Sequence, residues 1–299
     1  MTEEIRKYYD YPVAQEVGVS GAGLVWFLTK DHLSPPYTYK DDIALNASQW
    51  RLGASERIVK LADTMEIKSG DITLDIGTGI GGPGRDIIDA SGCKLIGANL
   101  SYNQLVSLRA LSILNNPEKP TYTNVVNADA QLLPFIDSIF DQVFSINTFY
   151  HVPNLDIAIS EVSRVLKRGG RFGLDDWFIT GRAGSRTINN LRYNWSSPEG
   201  FYRYNQVVRL LRRNGLRTIQ IIDYTEEAAL FLTEERFGLT YDTQVKPRIL
   251  EVFPQLYPDN SEESYAIEAA EQLRNSILYM GELYRNGQAI YRQIIAEKA

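Results

Sequence analysis

A run of five glycines within eight residues constrains the fold of this chain more than any other feature. The run extends from Gly77 to Gly84 and follows an alternating apolar segment, residues 72–76. Glycine has no Cβ, so the main chain of such a turn can approach a ligand closely, and a helix that starts there presents free N–H groups. Because clustered glycines cost conformational entropy, the run predicts a ligand site between a first strand and its helix.

The segments around the glycine run alternate between short apolar stretches and helical periods. This alternation predicts an α/β fold with a doubly wound, mostly parallel sheet. The predicted strands are residues 72–76, 94–100, 123–128, 140–147, 172–178, 218–224 and 288–297. In such a sheet the ligand lies beyond the carboxyl ends of the strands, at the switch point beside the first strand.

Helical spacing of apolar residues predicts two helices, and a capping box marks the start of a third. Trp50, Ala54, Ile58, Leu61 and Met65 recur at intervals of four and three, which predicts a helix that ends near residues 69–70. A second such series consists of Leu155, Ile159, Val162 and Leu166, with Lys167 and Arg168 in the expected last turn and Gly169-Gly170 at its end. Ser101 and Gln104 have the spacing of a capping box.

These patterns divide the chain into four segments of one compact domain. We expect a helical N-terminal cap over residues 1–69, a ligand-binding core over 70–225, a helical lid insertion over 226–286 and a last core strand over 287–299.

Composition excludes several classes of function. Of the 299 residues, 44% are hydrophobic and 23% are charged, which is typical of a globular chain. The longest apolar stretches are far shorter than the roughly 20 residues of a membrane span, and the N-terminus lacks a signal-peptide core. The net charge of −6 disfavours nucleic acid. With one cysteine, Cys93, and two histidines, we expect no disulfide, no metal site and a cytoplasmic location.

The glycine run also admits a dinucleotide site, because Gly77, Gly79 and Gly82 satisfy the G-x-G-x-x-G pattern. Two residues disfavour it. Asp75 lies two residues before the first glycine, where a carboxylate suits an ammonium group and repels a pyrophosphate. Asn99 ends the second strand, where nicotinamide enzymes normally have an acid. An NAD(P)-dependent reductase remains the weaker alternative.

Several motifs, in order along residues 70–177, resemble those of class I methyltransferases that use S-adenosylmethionine. Asp75-x-Gly77-x-Gly79-x-Gly81 resembles motif I of that family. Further segments similar to the family are residues 97–104, 127–135, 140–141, 151–154 and 161–170. The similarity of residues 288–298 is weaker. The set is most similar to the sterol C-24 and natural-product small-molecule methyltransferases. The resemblance implies a Rossmann-like fold with seven strands, the last of them antiparallel.

The resemblance also implies a cofactor site. Gly77, Gly79 and Gly81 would pack against the methionine part of the cofactor, and Asp75 would orient its amino group. The remaining implied contacts are Asn99 and Leu100 at the ribose and adenine, Asp129 and Ala130 at the adenine edge, Asn147 near the sulfonium, and Thr78 within the glycine loop. Gln104 either touches the cofactor or serves only the capping box. The family more often has an acidic residue than an asparagine at the position of Asn99. The resemblance therefore does not establish that Asn99 contacts the ribose.

Methyl transfer from a sulfonium requires alignment and exclusion of water, and it requires no metal. His151 follows the fourth strand and is the candidate general base, although the family often has a framework histidine there. Asp175 and Asp176 end the fifth strand. Either residue could serve acid–base chemistry at the acceptor, or it could make an ordinary loop hydrogen bond or cap a helix.

Aromatic residues supply the candidate acceptor site. Trp26, Tyr9 and Trp177 are the expected substrate contacts, and an apolar core is the alternative for such rings. The wider aromatic set comprises Tyr37, Phe178, Tyr193, Trp195, Phe201, Tyr202 and Tyr204. Aromatic faces of this kind would stabilise a cation formed when a double bond is methylated.

The resulting expectation is methyl transfer from S-adenosyl-L-methionine to a small, largely apolar metabolite, with S-adenosyl-L-homocysteine as the product. C-methylation is favoured over N- or O-methylation, and the setting is specialised biosynthesis. The partners expected are the small-molecule acceptor and a second copy in a homodimer, with no nucleic acid and no membrane span. The main alternative is a cofactor-holding scaffold or cyclase of the same fold.

Overall fold

The computed structural model describes residues 55–115, 122, 124–195, 201–239, 241–247, 250 and 263–299. Seven strands lie along this part of the chain, and most of them are separated by helices. The strands are β1 (Ile72–Ile76), β2 (Lys94–Asn99), β3 (Val125–Asn127), β4 (Phe140–Ile146), β5 (Leu166–Ile179), β6 (Leu216–Asp223) and β7 (Ala289–Lys298). The helices are α1 (Ser55–Thr64), α2 (Gly82–Ser91), α3 (Tyr102–Asn115), α4 (Leu155–Val165), α5 (Ser185–Trp195), α6 (Tyr204–Arg213), α7 (Thr225–Phe231) and α8 (Glu263–Arg285).

The strands form one sheet in the order β3-β2-β1-β4-β5-β7-β6. Every pair is parallel except those of β7, which runs antiparallel to both β5 and β6. The direction of winding reverses between β1 and β4, so the switch point lies beside the first strand. The predicted α/β class, the mostly parallel sheet and the antiparallel last strand are confirmed.

Three apolar clusters surround the sheet. One face packs against α4 and α6 through residues such as Val143, Ile159 and Leu211. The other face packs against α1 and α2 through Leu61, Ile87 and Phe144. The third cluster lies at the carboxyl ends of the central strands, where residues of α5, α7 and α8 meet Tyr150, Trp177 and Tyr291. We call this third cluster the aromatic lid cluster.

The predicted end of the helix after β4 is wrong. The helix α4 ends at Val165, and Leu166 is already extended, with φ −78° and ψ 137°, and pairs with Phe140 in the sheet. The error has a clear cause. Leu166 is fully buried, so a strand residue in the core continued the apolar spacing of the helix by one more step. Gly169 and Gly170 lie within β5 and do not cap a helix.

The helix α1 ends at Thr64, five residues before the predicted stop. Glu66 has a left-handed φ of 57°, which ends the helical path. Ile58, Leu61 and Met65 are fully buried, as their spacing indicates. Trp50, Ala54 and most of the expected N-terminal cap lie outside the described residues. Within the described ranges, no helix combines the length and the apolar character that crossing a membrane requires.

Candidate functional site

The glycine loop after β1 lies at the switch point and leaves open space at its centre. Gly77, Gly79 and Gly81 all have left-handed φ values, of 78°, 56° and 84°. A Cβ at Gly77 would lie 2.2 Å from Thr148, and one at Gly81 would lie 2.8 Å from Leu108. A Cβ at Gly79 would meet no described atom within 4 Å. Packing therefore requires glycine at the two outer positions, whereas Gly79 borders space that a ligand could fill.

The carboxyl group of Asp75 is buried beneath this loop. It accepts a hydrogen bond of 3.0 Å from the hydroxyl of Tyr122, which also lies 2.5 Å from the Thr78 hydroxyl. Burial raises the pKa of Asp75 to about 7. The structure thus brings the predicted residues Asp75 and Thr78 together through Tyr122, a residue that sequence analysis did not single out.

Asn99 ends β2 and holds the glycine loop in place. Its Oδ1 accepts a bond of 3.3 Å from the main-chain N–H of Gly79, and its Nδ2 donates to Ser101 O and to Gln104 Oε1. The amide therefore uses both donors within the protein and retains acceptor capacity for a ligand. Only half of the predicted capping box forms. The N–H of Gln104 donates to Ser101 Oγ at 3.3 Å, while the Gln104 side chain binds Asn99.

The ends of β2 and β3 meet beside the loop. Asn127 donates from Nδ2 to the main-chain oxygens of Asn99 and Leu100, at 2.9 and 2.7 Å. Asp129 follows β3 and accepts a bond of 2.8 Å from the N–H of Gln131, and Ala130 beside it is half-buried. The residues expected around ribose and adenine therefore lie along one edge of the sheet.

Asn147 and His151 follow β4 on the opposite side of the switch point. Asn147 is a non-glycine residue with a left-handed φ of 50°, and its Oδ1 accepts a 3.0 Å bond from the Tyr291 hydroxyl. His151 ends a 3-10 turn (Phe149–His151) and is buried, with its ring centroid 3.9 Å from that of Tyr150. Strained backbone that the surrounding structure holds in place is typical of ligand-contacting positions.

The aromatic lid cluster contains one of the three expected acceptor contacts. Trp177 stacks on Tyr150 with centroids 5.4 Å apart, and Phe201 meets Trp177 edge-on at 5.7 Å. Tyr202 and its neighbours Phe178 and Tyr204 belong to the core under α6 instead. Tyr9, Trp26 and Tyr37 lie outside the described residues, as do the side chains of Tyr193 and Trp195.

A buried charged network adjoins Asn147, and the sequence did not predict it. The guanidinium of Arg57 on α1 donates to Asp175 Oδ1 at 2.9 Å, and Gln293 donates to Asp175 Oδ2 at 2.6 Å. The hydroxyl of Tyr291 also bonds Asp175, which links the network to Asn147. One signal in the sequence could have revealed it. Gln293 occupies the same side of β7 as Tyr291 and the buried apolar residue Ile295, and a buried polar residue there requires a partner.

Asp176 makes loop hydrogen bonds, which was one of the alternatives that the sequence allowed for this residue. It accepts hydrogen bonds from the N–H groups of Phe149 and Trp177, at 2.9 and 2.8 Å. Burial raises its pKa to about 8. Among the described residues, no group of three or more His, Cys, Asp or Glu side chains could hold a metal ion.

The central part of the chain matches a known protein family. Residues 74–174 match the family model described as a methyltransferase domain. A sterol 24-C-methyltransferase of Schizosaccharomyces pombe is 32% identical over 171 residues, which are 56% of this chain and 45% of that protein. The chain therefore spans less than half the length of that relative.

Solved structures share the fold at low identity. A geranyl diphosphate C-methyltransferase from Streptomyces coelicolor superposes with a TM-score of 0.61 at 19% identity, over 100% of this chain and 98% of that one. The [4+2]-cyclase SpnF superposes with a TM-score of 0.61 at 19% identity, over 83% and 82%. Together these findings confirm the resemblance to class I methyltransferases and their Rossmann-like fold, and S-adenosylmethionine is the cofactor of that class.

Proposed function

We propose that this chain transfers a methyl group from S-adenosylmethionine to a small, largely apolar metabolite, with carbon as the favoured acceptor atom. Nitrogen and oxygen remain the less favoured acceptor atoms, and the setting is specialised biosynthesis. The bound cofactor supplies an electrophilic methyl group on a sulfonium. The protein's part is to align the acceptor with that group and to exclude water.

The observation that carries this proposal is the open glycine loop at the switch point. The main chain at Gly79 borders free space, and three polar residues lie at the carboxyl ends of the strands around it: Asp75, Asn99 and Asn147. A buried carboxyl beside bare main chain suits an amino-acid tail that carries an ammonium group. We assign the cofactor contacts to Asp75, Gly77, Thr78, Gly79, Gly81, Asn99, Leu100, Gln104, Asp129, Ala130 and Asn147.

The acceptor lies against the aromatic lid cluster in this proposal. Trp177, near the carboxyl end of β5, stacks on Tyr150, which directly precedes the candidate base His151 in sequence. Apolar, aromatic walls suit a hydrocarbon acceptor, and their faces would stabilise a cation formed by methylation of a double bond. The similarity to a sterol 24-C-methyltransferase supports carbon as the acceptor atom.

Calorimetry with S-adenosylhomocysteine tests the cofactor site. We expect tight binding by the unmodified chain and none by the double variant Asp75→Ala with Gly79→Arg, because the arginine fills the space beside the loop. Gly169→Arg is the matched control, since Gly169 also has a left-handed φ, of 73°, and is exposed on β5. Normal binding by the double variant would refute the site.

One rival keeps the fold and the cofactor but not the methyl transfer. The likeness to the [4+2]-cyclase SpnF supports this rival, although it rests on fold alone. A scaffold or cyclase would bind S-adenosylhomocysteine yet release none from S-adenosylmethionine with any acceptor. A reductase would instead change the fluorescence of NADH on mixing.

We further propose a cytoplasmic location and a homodimer. The cytoplasmic proposal rests on Cys93, the single cysteine of the sequence, which is a free, buried thiol in the structure.

A further inference from the structure

Four buried polar atoms around the Asp175 network have no hydrogen-bond partner among the described residues. They are Arg57 Nε, Tyr224 Oη, Tyr284 Oη and Gln293 Oε1. The four residues are 6%, 7%, 4% and 0% exposed, so bulk water does not satisfy these atoms. Buried polar groups normally have a hydrogen-bond partner, so a cluster of buried groups without one indicates a missing ligand or ordered water.

The other three residues lie around the ion pair of Arg57 and Asp175. The Cζ of Arg57 lies 5.6 Å from the ring centroid of Tyr224 and 4.5 Å from that of Tyr291. The charge of Arg57 also acts on the hydroxyl of Tyr284, whose pKa it lowers against the larger effect of burial. Gln293 donates through Nε2 to Asp175, the ionic partner of Arg57, which leaves its Oε1 unused.

Three of the four unpaired groups are hydrogen-bond donors. Arg57 Nε–H can only donate. Burial, followed by the charge of Asp175, raises the pKa of Tyr224, and burial raises that of Tyr284 well above its ordinary value. Both hydroxyls therefore stay protonated at neutral pH. A group rich in lone pairs is the natural partner for such a set, and an oxygen is the simplest choice.

Charge balance indicates that this oxygen is uncharged. The guanidinium of Arg57 is already paired with Asp175 at 2.9 Å, so its charge is balanced within the protein. A further anion would lack a free buried cation within the described part of this network. A hydroxyl or carbonyl oxygen needs no cation, and the hydrogen-bond donors of this cluster that have no other partner are sufficient to bind it.

The cluster lies between the two halves of the site. Tyr291 joins Asp175 to Asn147, the residue assigned to the cofactor side. Tyr224 and Tyr284 belong to the aromatic lid cluster together with Trp177. An acceptor that contacts both would have its apolar part on the rings and its oxygen on the network.

We propose that Arg57 Nε and the hydroxyls of Tyr224 and Tyr284 bind an uncharged oxygen of the acceptor, a hydroxyl or a carbonyl. This inference rests on the proposed methyltransferase function, since it specifies the acceptor of that same site. It limits the acceptor to apolar molecules with one such polar group, and it disfavours pure hydrocarbons and diphosphates.

Binding of matched probes to the S-adenosylhomocysteine-loaded chain tests the inference. The probes are geraniol, geranial, the corresponding hydrocarbon 2,6-dimethylocta-2,6-diene and geranyl diphosphate. The binding of each probe is measured by the change in tryptophan fluorescence. We expect the alcohol or the aldehyde to bind about tenfold or more tightly than the hydrocarbon. Tyr224→Phe and Tyr284→Phe should each reduce that preference roughly three- to tenfold, and leave hydrocarbon and S-adenosylhomocysteine binding unchanged.

Tyr241→Phe is the matched control in the same insertion. Its hydroxyl is buried and donates to Ala270 O at 2.7 Å, so the substitution should lower the urea midpoint without changing the probe preference. Tyr284→Phe should not lower the midpoint, because its hydroxyl has no described partner to lose.

Three results would overturn the inference: no preference for the oxygenated probes, a preference that survives both tyrosine variants, or tightest binding of the diphosphate. Ordered water alone in the cluster would give the first or the second result. Failure of the unmodified chain to bind S-adenosylhomocysteine would instead contradict the proposed function.

Discussion

At the scale of single residues, the buried carboxyl of Asp75 connects the fold to cofactor chemistry. It lies under the glycine loop, where its hydrogen-bonding partner is Tyr122, and burial raises its pKa to about 7. A cationic group nearby would favour the ionised form. Binding of an ammonium-bearing ligand should therefore be coupled to loss of a proton from this carboxyl.

We predict that affinity for S-adenosylhomocysteine rises with pH between 6 and 8. If the ionised carboxyl is the binding form, affinity at pH 6 should be about tenfold below its plateau, since a pKa near 7 leaves roughly a tenth of the groups ionised there. Asp75→Asn should bind weakly and without this pH dependence. Calorimetry at three pH values measures both, and a flat profile for the unmodified chain would contradict the role of Asp75.

At the scale of elements, one ion pair holds the helix α1 to the sheet. Arg57 is the buried cation of α1, and Asp175 on β5 is its partner at 2.9 Å. Gln293 and Tyr291 on β7 bond the same carboxylate, so three elements meet at one group. Removal of one partner from a buried pair leaves an uncompensated charge in a place that water does not reach.

Asp175→Asn should therefore destabilise the fold by about 3–5 kcal/mol. The free energy of unfolding, measured by urea titration, reports this loss. Glu297→Gln on β7 is the control, because it removes an exposed pair with Arg217 at 3.1 Å and should cost less than about 1 kcal/mol. Equal effects of the two substitutions would show that the buried network does not anchor α1.

At the scale of the whole molecule, buried carboxyls set how stability depends on pH. Burial raises the pKa of Asp75 and Asp86 to about 7 and that of Asp176 to about 8. Between their unfolded value near 4 and these pKa values, the folded chain binds more protons than the unfolded chain. Stability from these groups is therefore greatest at low pH and falls as the pH rises through this window. The lowered pKa values of Asp141 and Glu161 act in the opposite sense, and only in more acidic solution.

The ligand-free chain should accordingly be more stable at pH 5.5 than at pH 8.5. Urea midpoints at the two pH values test this expectation. Asp176→Asn should reduce the difference, since it removes the carboxyl with the highest of these pKa values. A midpoint that rises with pH over this interval would contradict the assignment of the buried carboxyls.

Local sequence determined the order of the elements and the location of the ligand site. The glycine run after an alternating strand placed the loop, because close approach of bare main chain is a local property of Gly77 to Gly84. Alternation of strands and helices predicted the sheet, and the switch point followed from that class of fold. The end of α4 was missed, because Leu166 is buried whether it lies in a helix or a strand.

Only the tertiary structure decided what surrounds the site. Arg57, Asp175 and Gln293 are separated by more than a hundred residues in sequence, yet one carboxylate joins them. Their meeting depends on the antiparallel register of β5 and β7 and on the packing of α1 over that pair. Spacing along the chain records periodicity within one element, whereas a buried polar cluster is set by pairings between distant elements.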